Sequence, residues 1–299
     1  MAELKIKNLR KNTYFIPSPT NIGIYVQDKN TVLIDSGNDK EAGRYILRTL
    51  RKKDWNLKLI INTHSNADHA GGNAYLQRKT GCSIASPGIE KAFIEYPELE
   101  PAFLYGGYPL KKHKNKFLMA RPSKVTDIIK NTGKILDTNL FAESLKGHFF
   151  DMIGIKTPDN VFFIGDSIFP KRIIKKYHLF YIFDVLSYLK TLDILEKDTS
   201  EIFVPSHGKP TDDLKSIVEL NKQKIDEICD QIEKITDEPK TAEEILTEIL
   251  RNYRISLNEN QYILCFNTIK SYLSYLSGKK RIKYYFKDHQ MLWKKASQT

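Results

Sequence analysis

Thr63-His64-Ser65-Asn66-Ala67-Asp68-His69-Ala70-Gly71-Gly72-Asn73 places two imidazoles, a carboxylate and two amides within eleven residues. It follows directly on the apolar run 57–62, which reads as a buried strand. Imidazole and carboxylate are the zinc ligands open to a chain without paired cysteines, and a tight loop at a strand end can aim several of them at one point. The pair Gly71-Gly72 suits a tight turn with close helix packing behind it.

Three later fragments carry the same chemistry. They are Lys146-Gly147-His148-Phe149-Phe150, then Phe162-Phe163-Ile164-Gly165-Asp166-Ser167, then Val204-Pro205-Ser206-His207-Gly208. Each sits at or just after an apolar strand signal. A lone histidine at any of these places would read as an ordinary surface or core residue. Their joint occurrence with Asp68, His69 and Asp166 points to a metal instead. Asp35 is expected to brace the loop from behind by hydrogen bonds, while His113, His178 and His289 fit no pattern.

Around these motifs the chain alternates short strands and helices. Residues 13–17, 23–27 and 31–35 read as an antiparallel meander, followed by a helix over 40–53 with Ala42, Ile46, Leu47 and Leu50 at helical spacing. A second helix is expected over 70–80 and a strand over 83–86. Residues 89–123 look irregular, rich in aromatics, proline and glycine, and long enough for a lid or binding insertion. Strand signals resume at 134–137, 152–157 and 161–164. They are followed by a helix over 183–195, a strand over 201–205 and an amphipathic helix over 211–235. Pro239 and Thr241 mark a boundary, after which helices over 242–253 and 260–277 and a ribbon turning at Lys287-Asp288 suggest a winged-helix-like module. The expected division is 1–235 and 236–299.

Together these motifs resemble the metallo-β-lactamase superfamily, whose signature is HxHxDH, a Gly-His, an Asp after an apolar strand and a late His, in that order. The early Leu33-Ile34-Asp35-Ser36-Gly37 resembles the family's IDTG-like segment, so the likeness spans about 200 residues. It implies an α/β (α+β) fold, a four-layer αββα sandwich, with the small C-terminal winged-helix-like domain appended. It also implies a metallo-hydrolase. By position, His64 and His148 would bind a first metal, with Asn66 in the place of that site's remaining histidine. Asp68, His69 and His207 would bind a second, and Asp166 would bridge the two.

Asn66 is the one departure from the pattern. An amide oxygen binds zinc less well than imidazole, so the second site is expected to be the tighter. Two arrangements stay open, a dinuclear centre with a loose first ion or a mononuclear centre at the second site. The implied cofactor is zinc, one or two ions, with iron or manganese as alternatives. Asp68 is expected to orient the water and carry its proton.

The chain has 299 residues, 41% of them hydrophobic and 28% charged, which excludes a disordered or fibrous class. No apolar run reaches the ~20 residues of a membrane span, and the first residues lack a signal-like apolar core, so a cytoplasmic location without membrane association is expected. Cys82, Cys229 and Cys265 are too far apart for a metal or disulfide framework. The formal charge of +11 is explained by a lysine-rich surface or by an anionic partner. Lys111, Lys112, Lys114 and Lys116 in the insertion, with Lys171, Arg172, Lys175 and Lys176, would favour an anionic substrate if they border the metal. Tyr96, Phe103, Tyr105, Tyr108 and Phe117 would cap the pocket or fill a local core.

The leading expectation is hydrolysis of a small ester, thioester, lactone or amide. The alternatives are a phosphodiesterase or ribonuclease acting on nucleic acid, and a non-catalytic relative that binds a metal or metabolite. Between Thr236 and Thr299 the balance is 11 basic against 7 acidic residues, which is no polycationic tail. A homodimer is also left open.

Overall fold

The computed structural model describes residues 5–296. A seven-stranded sheet runs in sequence order: β1 (Lys7–Arg10), β2 (Thr13–Ile16), β3 (Ile22–Gln27), β4 (Asn30–Ile34), β5 (Asn56–Ile61), β6 (Ser83–Pro87) and β7 (Asp127–Ile129). β1 to β4 form the antiparallel meander. β4 to β7 are parallel, because helices return the chain between them. Those helices are α1 (Lys40–Lys52), α2 (Ala67–Ala70), α3 (Asn73–Thr80), α4 (Gly88–Glu95) and α5 (Leu99–Tyr105). The second sheet has β8 (Gly133–Lys134), β9 (Phe141–Ser144), β10 (Ile153–Lys156), β11 (Val161–Gly165) and β12 (Ile202–Pro205), in the order 12-11-10-9-8.

Strand alternation sets the layers. Leu33 and Ile60 point outward to Ile46, Leu47 and Leu50 of α1, whereas Ile34, Leu59 and Ile61 point inward. There they meet Ile153, Ile155, Val161 and Phe163 of the second sheet. Phe162 and Ile164 face the other way, onto α7 (Val185–Lys197) and α8 (Lys215–Ile235). Helices, two sheets and helices thus form the four-layer αββα sandwich. Strands apolar on both faces read as near-continuous hydrophobic runs, as at Leu59-Ile60-Ile61 and Val161-Phe162-Phe163-Ile164.

Several elements differ from the sequence reading. The helix expected over 70–80 is α3, which starts only at Asn73, and a separate short α2 precedes it, with Gly71-Gly72 between them. The irregular stretch 89–123 contains α4, α5 and a 3-10 turn at Lys111–His113. The short β1, β7 and β9, and the helix α6 (Lys171–Tyr177), carried too few apolar residues to register. The expected strand 134–137 pairs only at Gly133–Lys134, with Leu136 at φ 46°.

Beyond α8 come α9 (Ala242–Tyr253), α10 (Glu259–Gly278) and the hairpin β13 (Ile282–Lys287) with β14 (Gln290–Lys295). Capping boxes at Thr241/Glu244 and Asn258/Gln261 start the two helices. The hairpin turns at Asp288-His289, one residue later than expected, with φ of 49° and 62°, the left-handed pair that a two-residue loop needs. The core outside the second sheet continues from Phe162 and Tyr188 through Ile228 to Ile249, Tyr272 and Trp293. The ends of the expected 1–235 and 236–299 units, at 1–4 and 297–299, lie outside the described residues.

Candidate metal centre

The loop after β5 is fixed from behind by Asp35, the residue that follows β4, which has φ 63°. Its carboxylate accepts from the Thr63 amide at 2.8 Å, from Thr63 Oγ1 at 2.8 Å and from His69 Nδ1 at 2.8 Å. Through these bonds it holds both the loop backbone at Thr63 and the His69 ring. Gly71 and Gly72 let this loop press on the backbone beneath. A Cβ at Gly71 would lie 2.3 Å from the Asn38 carbonyl carbon, and one at Gly72 2.3 Å from the Ser36 oxygen.

The remaining groups come from the second sheet. His148 lies between β9 and β10, Asp166 follows β11 and His207 follows β12, so both sheets contribute at one edge. The β2–β3 loop braces the last of these. The Pro19 carbonyl accepts from His207 Nδ1 at 2.8 Å, and Asn21 Nδ2 donates to the Pro205 and Gly208 carbonyls.

Every one of the four histidines has its Nδ1 engaged by the protein. His69 donates to Asp35, His148 to the Tyr181 carbonyl at 3.1 Å and His207 to Pro19. Thr63 Oγ1 gives its proton to Asp35, so at 3.0 Å it accepts from His64 Nδ1. All four Nε2 atoms are therefore left facing one region. His64 Nε2, His69 Nε2 and Asp166 Oδ1 are buried with no hydrogen-bond partner among the described residues. Orphaned buried polar atoms of this kind are costly unless something fills the space between them.

The ligand atoms fall into two groups, each within 4.8 Å of one another: His64, His148 and Asp166, then Asp68, His69 and His207. Asp166 reaches both groups. Its Oδ1 lies 3.4 Å from His69 Nε2, and its Oδ2 lies 3.5 Å from His148 Nε2 and 3.2 Å from His207 Nε2. Asp68 sits at the more open side, with Oδ2 held by Thr20 Oγ1 at 2.7 Å and 3.4 Å from His207 Nε2. Asn66 Oδ1 approaches His148 Nε2 at 3.3 Å. All seven residues singled out in the sequence are thus brought together. Their donors, imidazole nitrogen and carboxylate oxygen with one amide, suit a divalent ion such as zinc.

Charge is distributed unevenly between the groups. Burial holds His64 well below the usual imidazole range, with neighbouring His69 adding to the effect, and burial also lowers His148. Burial opposes charge on His69 and His207 too, but nearby carboxylates outweigh it. His69 is raised well above its ordinary value by Asp68, Asp35 and Asp166, and His207 is raised to about 9 by Asp166 and Asp68. Burial would raise Asp166, yet His207 and His69 keep it well below the usual carboxylate range.

Two buried acids escaped the sequence reading. Glu90 on α4 accepts from the Ser65 amide at 2.9 Å, Ser65 Oγ at 2.6 Å and the Asp151 amide at 2.8 Å, and burial lifts its pKa to about 7. Glu100 on α5 accepts from Asn66 Nδ2 at 2.9 Å, and burial raises it well above the usual range. A signal existed in the spacing. Glu90 shares a helix face with Phe93 and Ile94, and Glu100 with Phe103 and Leu104, all buried or half-buried.

The insertion residues divide. Phe103 packs among Phe93, Phe149, Phe150 and Phe183, while Tyr96, Tyr105, Tyr108 and Phe117 are exposed. Lys112 pairs with Glu259, Lys114 lies over the Tyr108 ring and Lys116 faces Asp39. His178 stacks on Tyr253, and His113 is buried beside Tyr105. All three cysteines are buried and free. Among the described residues, no helix is long and apolar enough to cross a membrane.

Comparison with known proteins agrees with this geometry. A protein from Burkholderia ambifaria described as a beta-lactamase domain protein superposes with a TM-score of 0.76 at 15% identity, covering 99% of this chain and 94% of its own. A metallo-beta-lactamase family protein from Thermus thermophilus gives 0.72 at 17% identity, covering 95% and 98%. Both matches show the fold and take in the C-terminal segment. In sequence, the hydroxyacylglutathione hydrolase of Bradyrhizobium sp. (strain ORS 278) is 37% identical over 82 residues, 27% of this chain and 32% of the relative. The match thus spans about a third of that relative's length. The metallo-beta-lactamase superfamily model matches residues 16–207, from β2 to the last histidine of the cluster, and the chain belongs to that superfamily.

Proposed function

We propose that this chain is a metal-dependent hydrolase of a small ester or thioester. The observation that carries the reading is the convergence of four imidazole Nε2 atoms, each with its Nδ1 already engaged, on Asp68 and Asp166. His64, His148 and Asn66 would hold a first ion, Asp68, His69 and His207 a second, and Asp166 would lie between them. When bound, zinc lowers the pKa of water to ~7 and polarises a carbonyl oxygen; iron or manganese would suit the same donors less specifically.

The chain's own residues supply orientation and proton handling. Thr20 Oγ1 fixes one carboxylate oxygen of Asp68, whose side chain is only half-buried. Asp68 is therefore placed to accept the proton of an attacking water. Asp35, the Pro19 carbonyl and the Tyr181 carbonyl hold the imidazoles still while that happens. The partial relatives named for hydrolysis of hydroxyacylglutathione, an acyl thioester, direct the choice within small-molecule esters. Lys171, Arg172, Lys175 and Lys176 on α6 are exposed close after Asp166 in the chain and would favour an anionic acyl group. The segment that begins at Thr236 reads as an appended winged-helix-like unit, with α9 on α8 and α10 on α7.

The test is a panel of acyl thioesters, carboxylic esters, lactones and phosphodiesters, assayed on purified protein before and after chelation. Thioester turnover should vanish on chelation, return with zinc, and fall at least about 10³-fold in Asp68→Ala, given what general-base removal and loss of a ligand do together. Preferential turnover of the phosphodiester would overturn the substrate class. Protein that takes up no metal and turns over nothing would overturn the hydrolase reading.

A further inference from the structure

We propose that Glu100 is a positioning residue for the first metal site, holding the Asn66 amide with its oxygen toward the ion and keeping the amide from capping His148. The inference rests on the metal-site reading above and concerns the one position where this chain departs from the HxHxDH pattern.

An asparagine has two ends, and only one can bind a cation. His148 Nδ1 faces the Tyr181 carbonyl at 3.1 Å, so that nitrogen carries the proton and Nε2 presents a lone pair. Asn66 Nδ2 donates to Glu100 Oε1 at 2.9 Å, which turns Asn66 Oδ1 toward His148 Nε2 at 3.3 Å. Two lone pairs then converge on one point, an arrangement that repels unless a cation lies between them. If the amide turned over, Nδ2 would donate to His148 Nε2 and consume the ligand's lone pair. An imidazole at position 66 would not face this choice in the same form. Asparagine does, and the Glu100 oxygen on its far side opposes the turned-over state.

Glu100 is well placed to do this. It is buried on α5, with Phe103 and Leu104 on the same face packed into aromatic and aliphatic neighbours. Leu104 and Leu118 meet Ile263 of α10, and Asn115 Nδ2 donates to Asn260 Oδ1 at 3.1 Å. The carboxylate is therefore delivered by an element braced on the C-terminal helix. Its partner is the Asn66 amide nitrogen, and it belongs to neither ligand group.

The experiment is calorimetric titration of metal-stripped, full-length protein with Co²⁺, with the d–d absorption of the bound ion recorded in parallel. The variants are Glu100→Met, which keeps the length and removes the acceptor, the isosteric Glu100→Gln, Asn66→His, and Asn66→His with Glu100→Met. In Glu100→Met the first site should weaken roughly tenfold, with the second unchanged, as expected when a buried amide loses its acceptor. Glu100→Gln, which can hold the amide either way round, should weaken it by about threefold or more. The double variant should bind the first ion as tightly as Asn66→His alone.

A first site of wild-type affinity in both Glu100 variants overturns the proposal. So does a double variant that loses the first ion, because Glu100 would then act through the α5 scaffold and not through the amide. Wild-type protein that binds one Co²⁺ at Asp68, His69 and His207 and none elsewhere also overturns it, while leaving the hydrolase reading standing. Should Glu100→Met fail to fold, Glu100→Gln decides.

Discussion

The histidines of the two ligand groups differ in what they must give up to bind an ion. His69 and His207 are held protonated by Asp68, Asp35 and Asp166, so an ion arriving between them has to displace protons. His64 and His148 are already neutral because burial lowers them. Affinity at the Asp68–His69–His207 group should therefore rise with pH, by up to about tenfold per pH unit for each proton displaced, with the His207 share of the rise flattening as pH passes about 9. Affinity at the His64–His148 group should change little above neutral pH. Competition titrations with a chromophoric chelator at several pH values measure both. Equal pH slopes would contradict the assignment of charge. The six His and Asp positions were legible in the sequence because all but His148 follow an apolar strand, His148 lies in a Gly-His motif just ahead of one, and strand ends at a shared sheet edge converge. Glu100 and Glu90 were not, because their partners are a backbone loop and an amide from distant segments, and nothing in their local pattern names those partners.

At the scale of elements, the decisive connection is the break between α2 and α3. Sequence periodicity across 70–80 reads as one helix that starts ahead of Gly71 and Gly72. The division is imposed from below, by the Ser36–Asp39 backbone that both glycines approach too closely to admit a side chain. Gly71→Ala should cost on the order of 3 kcal/mol, by forcing backbone apart. It should also displace His69, whose carbonyl accepts from the Ser36 amide at 2.8 Å. Denaturant midpoints and metal stoichiometry together test this, and a variant with wild-type stability would show that the turn can relax. The strands of both sheets were largely legible, being apolar on both faces. The three-residue β7 was not, because its pairing with β6 is decided by Thr126, whose hydroxyl and amide both bond Ile84, and not by its own pattern.

Across the whole molecule, the two-sheet architecture was readable from motif order and strand context, whereas the way the C-terminal segment seats on α7 and α8 was not. Ile245, Ile249, Tyr272 and Trp293 look alike in sequence whether they face their own module or a neighbour, and here they extend the core begun by Phe162 and Phe203. The ligand groups have a mechanical counterpart to their chemistry. His64, Asp68 and His69 belong to one sheet, while His148, Asp166 and His207 belong to the other. An ion bound there is a rivet through the open end of the sandwich, absent from the unfolded chain. At a free concentration 100 times its Kd, each such ion adds about 2.7 kcal/mol to unfolding stability, so chelation should lower Tm and a zinc series should raise it logarithmically. The same rivet should slow amide exchange at residues 62–69 and 147–153 together, two segments already joined by the Ile153 amide donating to the Thr63 carbonyl at 2.9 Å. The rim that handles substrate would then be among the last parts of the sandwich to gape when metal is plentiful, and among the first when it is scarce.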